Sequence, residues 1–199
     1  MQIPKEEVRE KIVAAAREDF LEKGFSNASM RRIAKRAQIS TSNLYNYFKS
    51  KEDLFLSITD PIHREINILI EHLVRTEKAV GVEQFFNQFS QLVAKPIGEL
   101  IKKHRVDFLL ILDQSQGTKY ETFKDRLVEA LEEHILEKHY FQTNSKDKQY
   151  KDRFVFHIIA TNLLEGLLEI SRHYQGDEWT DYTLSALLNY HINGFSGFF

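Results

Sequence analysis

The residues with the most chemistry in reach lie between Lys23 and Lys51, in the stretch KGFSNASMRRIAKRAQISTSNLYNYFKSK. Seven of them are basic (Lys23, Arg31, Arg32, Lys35, Arg36, Lys49 and Lys51) and none is acidic, although Glu22 and Glu52 stand immediately outside. The whole chain carries 27 basic and 29 acidic residues, so this positive patch sits on an acidic remainder. Concentrated positive charge suits a polyanion partner, although charge alone fits an ordinary solvated surface equally well. Nothing else in the chain offers a comparable chemistry. There is no His-Glu-x-x-His pair, no glycine-rich phosphate loop and no Gly-x-Ser-x-Gly elbow; Gly194-Phe195-Ser196-Gly197 does not satisfy the last. His134 and His139 are five apart, share no helix face and make a poor metal pair. Glu129, Glu132, Glu133 and Glu137 read as a solvated helix face. No metal or cofactor is expected, and an enzymatic reading has no residues to stand on.

The pattern inside the basic stretch separates the two readings of its charge. Gly24 ends an amphipathic helix built on Val8, Ile12, Ala15, Ala16 and Phe20. Ser29 is a suitable N-cap, and Ile33, Ala34 and Ala37 give a short helix one apolar face. Ala37-Gln38-Ile39 is a three-residue turn, and Ser40 caps a second short helix. In that helix Leu44 and Phe48 face inward, while Thr41, Ser42, Asn43, Asn46 and Tyr47 point away. Two short helices, a tight turn and small hydrogen-bonding residues at the start of the second make a helix-turn-helix, which enters the major groove by that end. Ser50, with an acidic residue three positions on at Asp53, caps the next helix.

Gly24-Phe25, Ser29-Met30-Arg31, Ile33-Ala34, Ile39-Ser40, Leu44-Tyr45, Tyr47-Phe48 and Ser50-Lys51-Glu52-Asp53-Leu54 resemble the DNA-binding domain of the TetR family of bacterial transcriptional repressors, over roughly residues 7 to 56. Two positions depart from the family pattern, Gln38 and Ser42, where glycine is common. A left-handed backbone at Gln38 costs about 1 kcal/mol relative to glycine. The resemblance implies that Thr41, Ser42, Asn43 and Asn46 face base edges, with Arg31 reaching a base or a phosphate. It also implies that Ser29, Tyr45, Tyr47 and Lys51 hold the phosphate backbone, with packing on its own domain the alternative for Tyr45. Arg32, Lys35 and Arg36 read as general electrostatics.

The rest of the chain predicts an all-α protein. A length of 199 residues accommodates a substantial core. Three prolines, eight glycines and the lack of period-two alternation favour long helices. No cysteine is present, which excludes a disulfide scaffold and fits a reducing compartment. The N-terminus lacks the apolar stretch of a signal peptide, and purely apolar runs such as Phe108 to Leu112 are too short to cross a bilayer, so a cytoplasmic protein without membrane contact is expected. A helix is predicted from Lys51 into the seventies, bent or interrupted at Pro61. Further helices follow over Val82 to Lys95, Ile97 to His104, Arg105 to Gln114, Thr118 to Tyr140, Lys151 to Tyr174 and Asp177 to Ile192, with a polar loop at Thr143 to Gln149.

The expected organisation is a three-helix DNA-binding domain over residues 1–50 and a helical ligand-binding and dimerisation domain over residues 51–199. The family resemblance implies a homodimer on palindromic operator DNA, released by a small-molecule effector whose identity the sequence does not name. Polar residues amid apolar helices (Gln114, His157, Thr161 and Asn162), together with Phe86, Phe89, Phe108, Tyr120 and Phe123, are candidates for the effector pocket; core or dimer packing accounts for each singly as well. Leu184, Leu187, Leu188 and Ile192 repeat every three to four residues and are the expected dimer interface. The alternative is an all-helical protein on the same scaffold that acts by protein contacts or binds DNA nonspecifically.

Overall fold

The computed structural model describes residues 5–75, 95–142 and 153–196, with the side chains of 73–75, 136–142, 192, 193, 195 and 196 outside that description. Eight α-helices and no strand occur among the described residues: α1 (Lys5–Asn27), α2 (Met30–Arg36), α3 (Thr41–Tyr45), α4 (Lys51–Arg75), α5 (Lys95–Asp113), α6 (Phe123–Gln142), α7 (Arg153–Arg172) and α8 (Asp177–Ser196). They form two compact units, Met1–Ile66 with His104–Phe123, and Asn67–Lys103 with Lys124–Phe199. The first unit thus holds the expected helix-turn-helix together with most of α4 and the second half of α5. The helix predicted over 82–95, with its Phe86 and Phe89, and the loop at Thr143 to Gln149 lie outside the described residues, apart from Lys95, which opens α5.

In the first unit, the apolar face of α1 is buried as its spacing predicts: Ile12, Ala16 and Phe20 are fully enclosed. At Gly24 the backbone turns to φ 70° and ψ 163°, a region open to a residue without Cβ. The corner so made brings Phe25 beside Phe20 and Phe55, whose rings meet edge to face at 5.0 Å (Phe20–Phe55) and 5.1 Å (Phe25–Phe55) between centroids. Ile33 and Leu44 close the base of the helix-turn-helix with no exposed surface. Gln38 in the turn between them has φ 57°, the left-handed conformation that its place predicts. Ser50 Oγ accepts the Asp53 amide at 3.0 Å, and the Asp53 carboxylate accepts the Lys49 amide at 2.8 Å, so α4 starts on a reciprocal cap.

α4 runs through Pro61 without interruption. Leu54, Phe55, Ile58, Ile62 and Ile66 are buried on both sides of the proline, and their packing outweighs the roughly 3 kcal/mol that an internal proline costs. The two apolar segments predicted around residue 104 are one helix, α5, with a kink at His104 (φ −127°, ψ 26°). The helix predicted from Thr118 begins only at Phe123. Hydroxyl groups compete with the helix there: Thr118 Oγ1 donates to Ser115 O at 2.7 Å and accepts the Tyr120 amide at 3.0 Å, and Ser115 Oγ donates to Tyr120 O at 3.0 Å.

The second unit is centred on α7, whose Phe156, Ala160, Leu164, Leu167 and Leu168 are buried. By length and composition α7 could span a bilayer; 39% of that apolar window is buried in the protein, while Phe154, Val155 and Ile158 are exposed. A Cβ placed on Gly166 would lie 2.7 Å from Leu187 Cδ1, and one on Gly98 would lie 3.2 Å from Leu184 Cδ2. The glycines are therefore notches that admit the leucines of α8. Glu132, expected on a solvated face, is instead buried, with its side chain 6% exposed. Burial pushes its carboxyl upward, but bonds from Arg153 and from His157 Nδ1 outweigh that and hold it below the usual value.

Candidate nucleic-acid interface

α3 presents an edge of small polar groups because its opposite side is anchored. Leu44 is fully buried and Phe48 nearly so, which turns Thr41, Ser42, Asn43 and Asn46 outward; Ser42 and Asn46 are exposed and Thr41 and Asn43 half-buried. Ser40 Oγ accepts the Asn43 amide at 3.1 Å, fixing the first turn, and lies 3.0 Å from Ser42 Oγ. Tyr45 is 49% exposed, so packing on its own unit does not account for it. Tyr47 is half-buried and Arg31 exposed. Ser29 stands at the N-cap of α2 without a side-chain cap bond, its amide donating to Asp19 Oδ2 at 3.2 Å. Thr41, Ser42, Asn43, Tyr45 and Asn46 therefore share one short helix and its C-cap, while Arg31 and Ser29 come from the neighbouring helix and its cap.

The charge of this region is less available than its count. Arg32 donates through Nε and Nη2 to the buried carboxylate of Asp19 and through Nη2 to Asn27 O at 3.0 Å. Arg36 pairs with Glu18 at 3.2 Å and with Glu22 at 2.9 Å. General electrostatics, expected of both, is thus largely cancelled by α1, and the carboxylates that cancel it lie outside the basic stretch. Asp19 was invisible as a partner because only the crossing of α1 and α2 brings it to Arg32 across thirteen positions. Lys51, also expected at a phosphate, donates from Nζ to the carbonyls of Phe25, Ser26 and Ala28 at 2.6, 3.1 and 3.2 Å. Its burial draws its pKa below the usual lysine value, against the opposite pull of Asp19.

The other predicted residues are dispersed. Phe108, Gln114, Tyr120 and Phe123 belong to the first unit. Tyr120 and Phe123 flank His63 at 4.8 Å each, and Tyr120 OH donates to Asp60 at 2.6 Å. Gln114 gives its carbonyl to the Phe25 amide at 2.9 Å. His157, Thr161 and Asn162 lie on α7 in the second unit, where His157 joins Glu132 and Thr161 Oγ1 is buried without a hydrogen-bond partner. Phe86 and Phe89 lie outside the described residues. Of the expected dimer stripe, Leu184 and Leu188 are buried within the protomer and Leu187 packs at Gly166; the Ile192 side chain is outside the description. Among the described residues of α7 and α8, Phe154, Ile158, Tyr182 and Tyr190 are exposed.

Residues 12–58 match the family described as bacterial regulatory proteins, tetR family. The HTH-type transcriptional regulator UidR of Escherichia coli K12 is 47% identical over 58 residues, which cover 29% of this chain and 30% of UidR. The chain thus matches less than a third of that relative's length. An uncharacterised HTH-type transcriptional regulator of Haemophilus influenzae is 28% identical over 156 residues, covering 70% of this chain and 68% of the relative. Among solved structures, NalD, the secondary repressor of the MexAB-OprM multidrug efflux pump in Pseudomonas aeruginosa, is 20% identical and covers 96% of this chain and 98% of its own, with a TM-score of 0.55. Residues 12–58 thus carry the helix-turn-helix that the tetR-family model describes, and the chain shares its all-helical fold with NalD.

Proposed function

We propose that the chain is a DNA-binding transcriptional regulator acting in the cytoplasm as a homodimer, a repressor that a small-molecule effector releases from palindromic operator DNA. The observation that carries this reading is the outward polar edge of α3, Thr41 to Asn46, held rigid from behind by buried Leu44 and Phe48. Short hydroxyl and amide groups at the start of a helix this size can approach base edges closely and exchange hydrogen bonds with them. Residues 1–50 do the reading, and residues 51–199 serve ligand binding and dimerisation. The repressor sign follows NalD, with which the chain shares a fold. An effector is expected to engage the second unit, where the unpartnered hydroxyl of Thr161 supports a ligand able to hydrogen-bond. Dimerisation is proposed through the open face of α7 and α8, since the leucine stripe is used inside the protomer.

Selection from random duplexes tests the reading directly. A palindrome should be enriched, and Asn43→Ala should lose about 1 to 3 kcal/mol on it while relaxing its preference at one position per half-site. A selection that enriches no palindrome overturns the proposal.

A further inference from the structure

Lys51 opens α4, immediately after the helix that carries the polar edge, yet its ammonium is turned toward the protein. Its three carbonyl partners are Phe25 O, Ser26 O and Ala28 O, and Nζ stands 4.4 Å from the centre of the Phe25 ring. An ammonium has three N–H groups, and all three are taken. The carbonyls belong to the end of α1 and the corner beyond it, where a helix leaves its last acceptors without a full set of intrahelical donors and the helix dipole is negative; Phe25 O also accepts the Ala28 amide at 3.2 Å. A cation is favoured at that point.

The same corner is gripped from a second direction. The Phe25 amide donates to Gln114 O at 2.9 Å, and Ser26 Oγ donates to Gln116 O at 2.8 Å. Gly24 (φ 70°) and Gly117 (φ 84°) provide the turns that allow these approaches. Phe25 therefore gives its carbonyl to the first residue of α4 and its amide to the end of α5.

We infer that Lys51 is a positioning residue for DNA binding, which pins the corner 25–28, and through it the turn 114–117, to the start of α4 instead of holding a phosphate. The inference rests on the DNA-binding reading above. A phosphate contact and a positioning contact differ in their salt dependence: each phosphate contact contributes about 0.9 to the slope of log K against log salt, whereas a positioning contact contributes to affinity at every salt concentration alike. They also differ in their tolerance of arginine. A planar guanidinium can hold a phosphate in place of lysine but cannot satisfy three carbonyls converging on one point.

The test uses the full-length protein and the palindrome selected by the wild type. Lys51→Arg and Lys51→Met, each checked for folding, should both lose affinity by about tenfold or more with the salt slope unchanged, the equivalent of one charge-assisted hydrogen bond. A slope flattened by about 0.9 per protomer in Lys51→Met, or full affinity in Lys51→Arg, overturns the inference. A measurement on the wild type stands even if neither variant folds. The Lys51 ε-methylene protons should be shifted upfield by the Phe25 ring and remain so on adding the duplex; a shift that collapses on binding means that the side chain leaves its carbonyls for DNA and overturns the inference. A wild type that selects no duplex removes the DNA-binding reading itself, whereas a wild type that binds beside a fully active Lys51→Arg removes only the role of Lys51.

Discussion

The carboxylate of Asp19 is fully buried, and it receives Nε and Nη2 of Arg32 together with the Ser29 amide. Burial pushes its pKa up, but the bonds from Arg32 and Ser29 prevail and leave it below the usual carboxylate value. Because the folded value is the lower one, the ionised form favours folding. That contribution is complete above the unfolded value near 3.9 and is lost as the pH falls through the folded value. Asp19→Asn should therefore lose about 1.5 to 3 kcal/mol of stability at pH 7, the size of hydrogen bonds to a charged group. The gap to the wild type should close below about pH 4. Urea unfolding followed by amide signals of the first unit measures both; a gap that persists at pH 2 would assign the loss to packing.

α7 and α8 owe their close approach to one residue that contributes nothing to helix propensity, Gly166. At Gly166, the atoms a methyl group would meet are Leu187 Cδ1 at 2.7 Å and Cδ2 at 2.8 Å. Replacing a helix-interior glycine by alanine ordinarily gains up to about 1 kcal/mol, whereas overpacking a close-packed contact costs about 1 to 3 kcal/mol. The second effect should prevail, so Gly166→Ala is expected to lower the Tm. Adding Leu187→Ala should recover part of the loss, because the two substitutions act on one contact. Thermal unfolding of the two single variants and the double variant decides it. Strict additivity would show that the notch is not what sets the spacing of these helices.

Among the described residues, the most exposed large apolar side chains lie on α7 and α8. Phe154 is 63% exposed, Tyr182 75% and Tyr190 74%, with Ile158 and Val155 beside Phe154 in the first turns of α7. A second copy meeting this face about a two-fold axis would cover it with the same residues and close the assembly. Ile158→Glu should then give a folded monomer, since burying two unpaired carboxylates in one interface costs several kcal/mol, while the same carboxylate on a solvated face costs little. Sedimentation, with circular dichroism as the control for folding, should find the monomer and a large loss of palindrome binding. A dimer of unchanged affinity would put the interface elsewhere.

Much of the first unit was legible along the chain because its signals are local. The α1 stripe, Gly24, the Ser40 and Ser50 caps, the Gln38 turn and the inward Leu44 and Phe48 are each set by neighbours within a few positions, where backbone geometry and side-chain periodicity act. The outward polar edge of α3 follows from the same periodicity. Partnerships between helices were not legible. The pattern that marks Leu184 and Leu188 as apolar is the same whether they face a second copy or Gly98 and the rest of their own protomer. The type and position of Lys51 fit a phosphate ligand, but only the fold brings three carbonyls from more than twenty positions away onto its ammonium. Glu132 reads as solvated until Arg153 and His157 arrive from another helix. Periodicity determines which face of a helix is apolar or charged; which surface meets that face depends on contacts distant in sequence, and those exist only once the chain has packed.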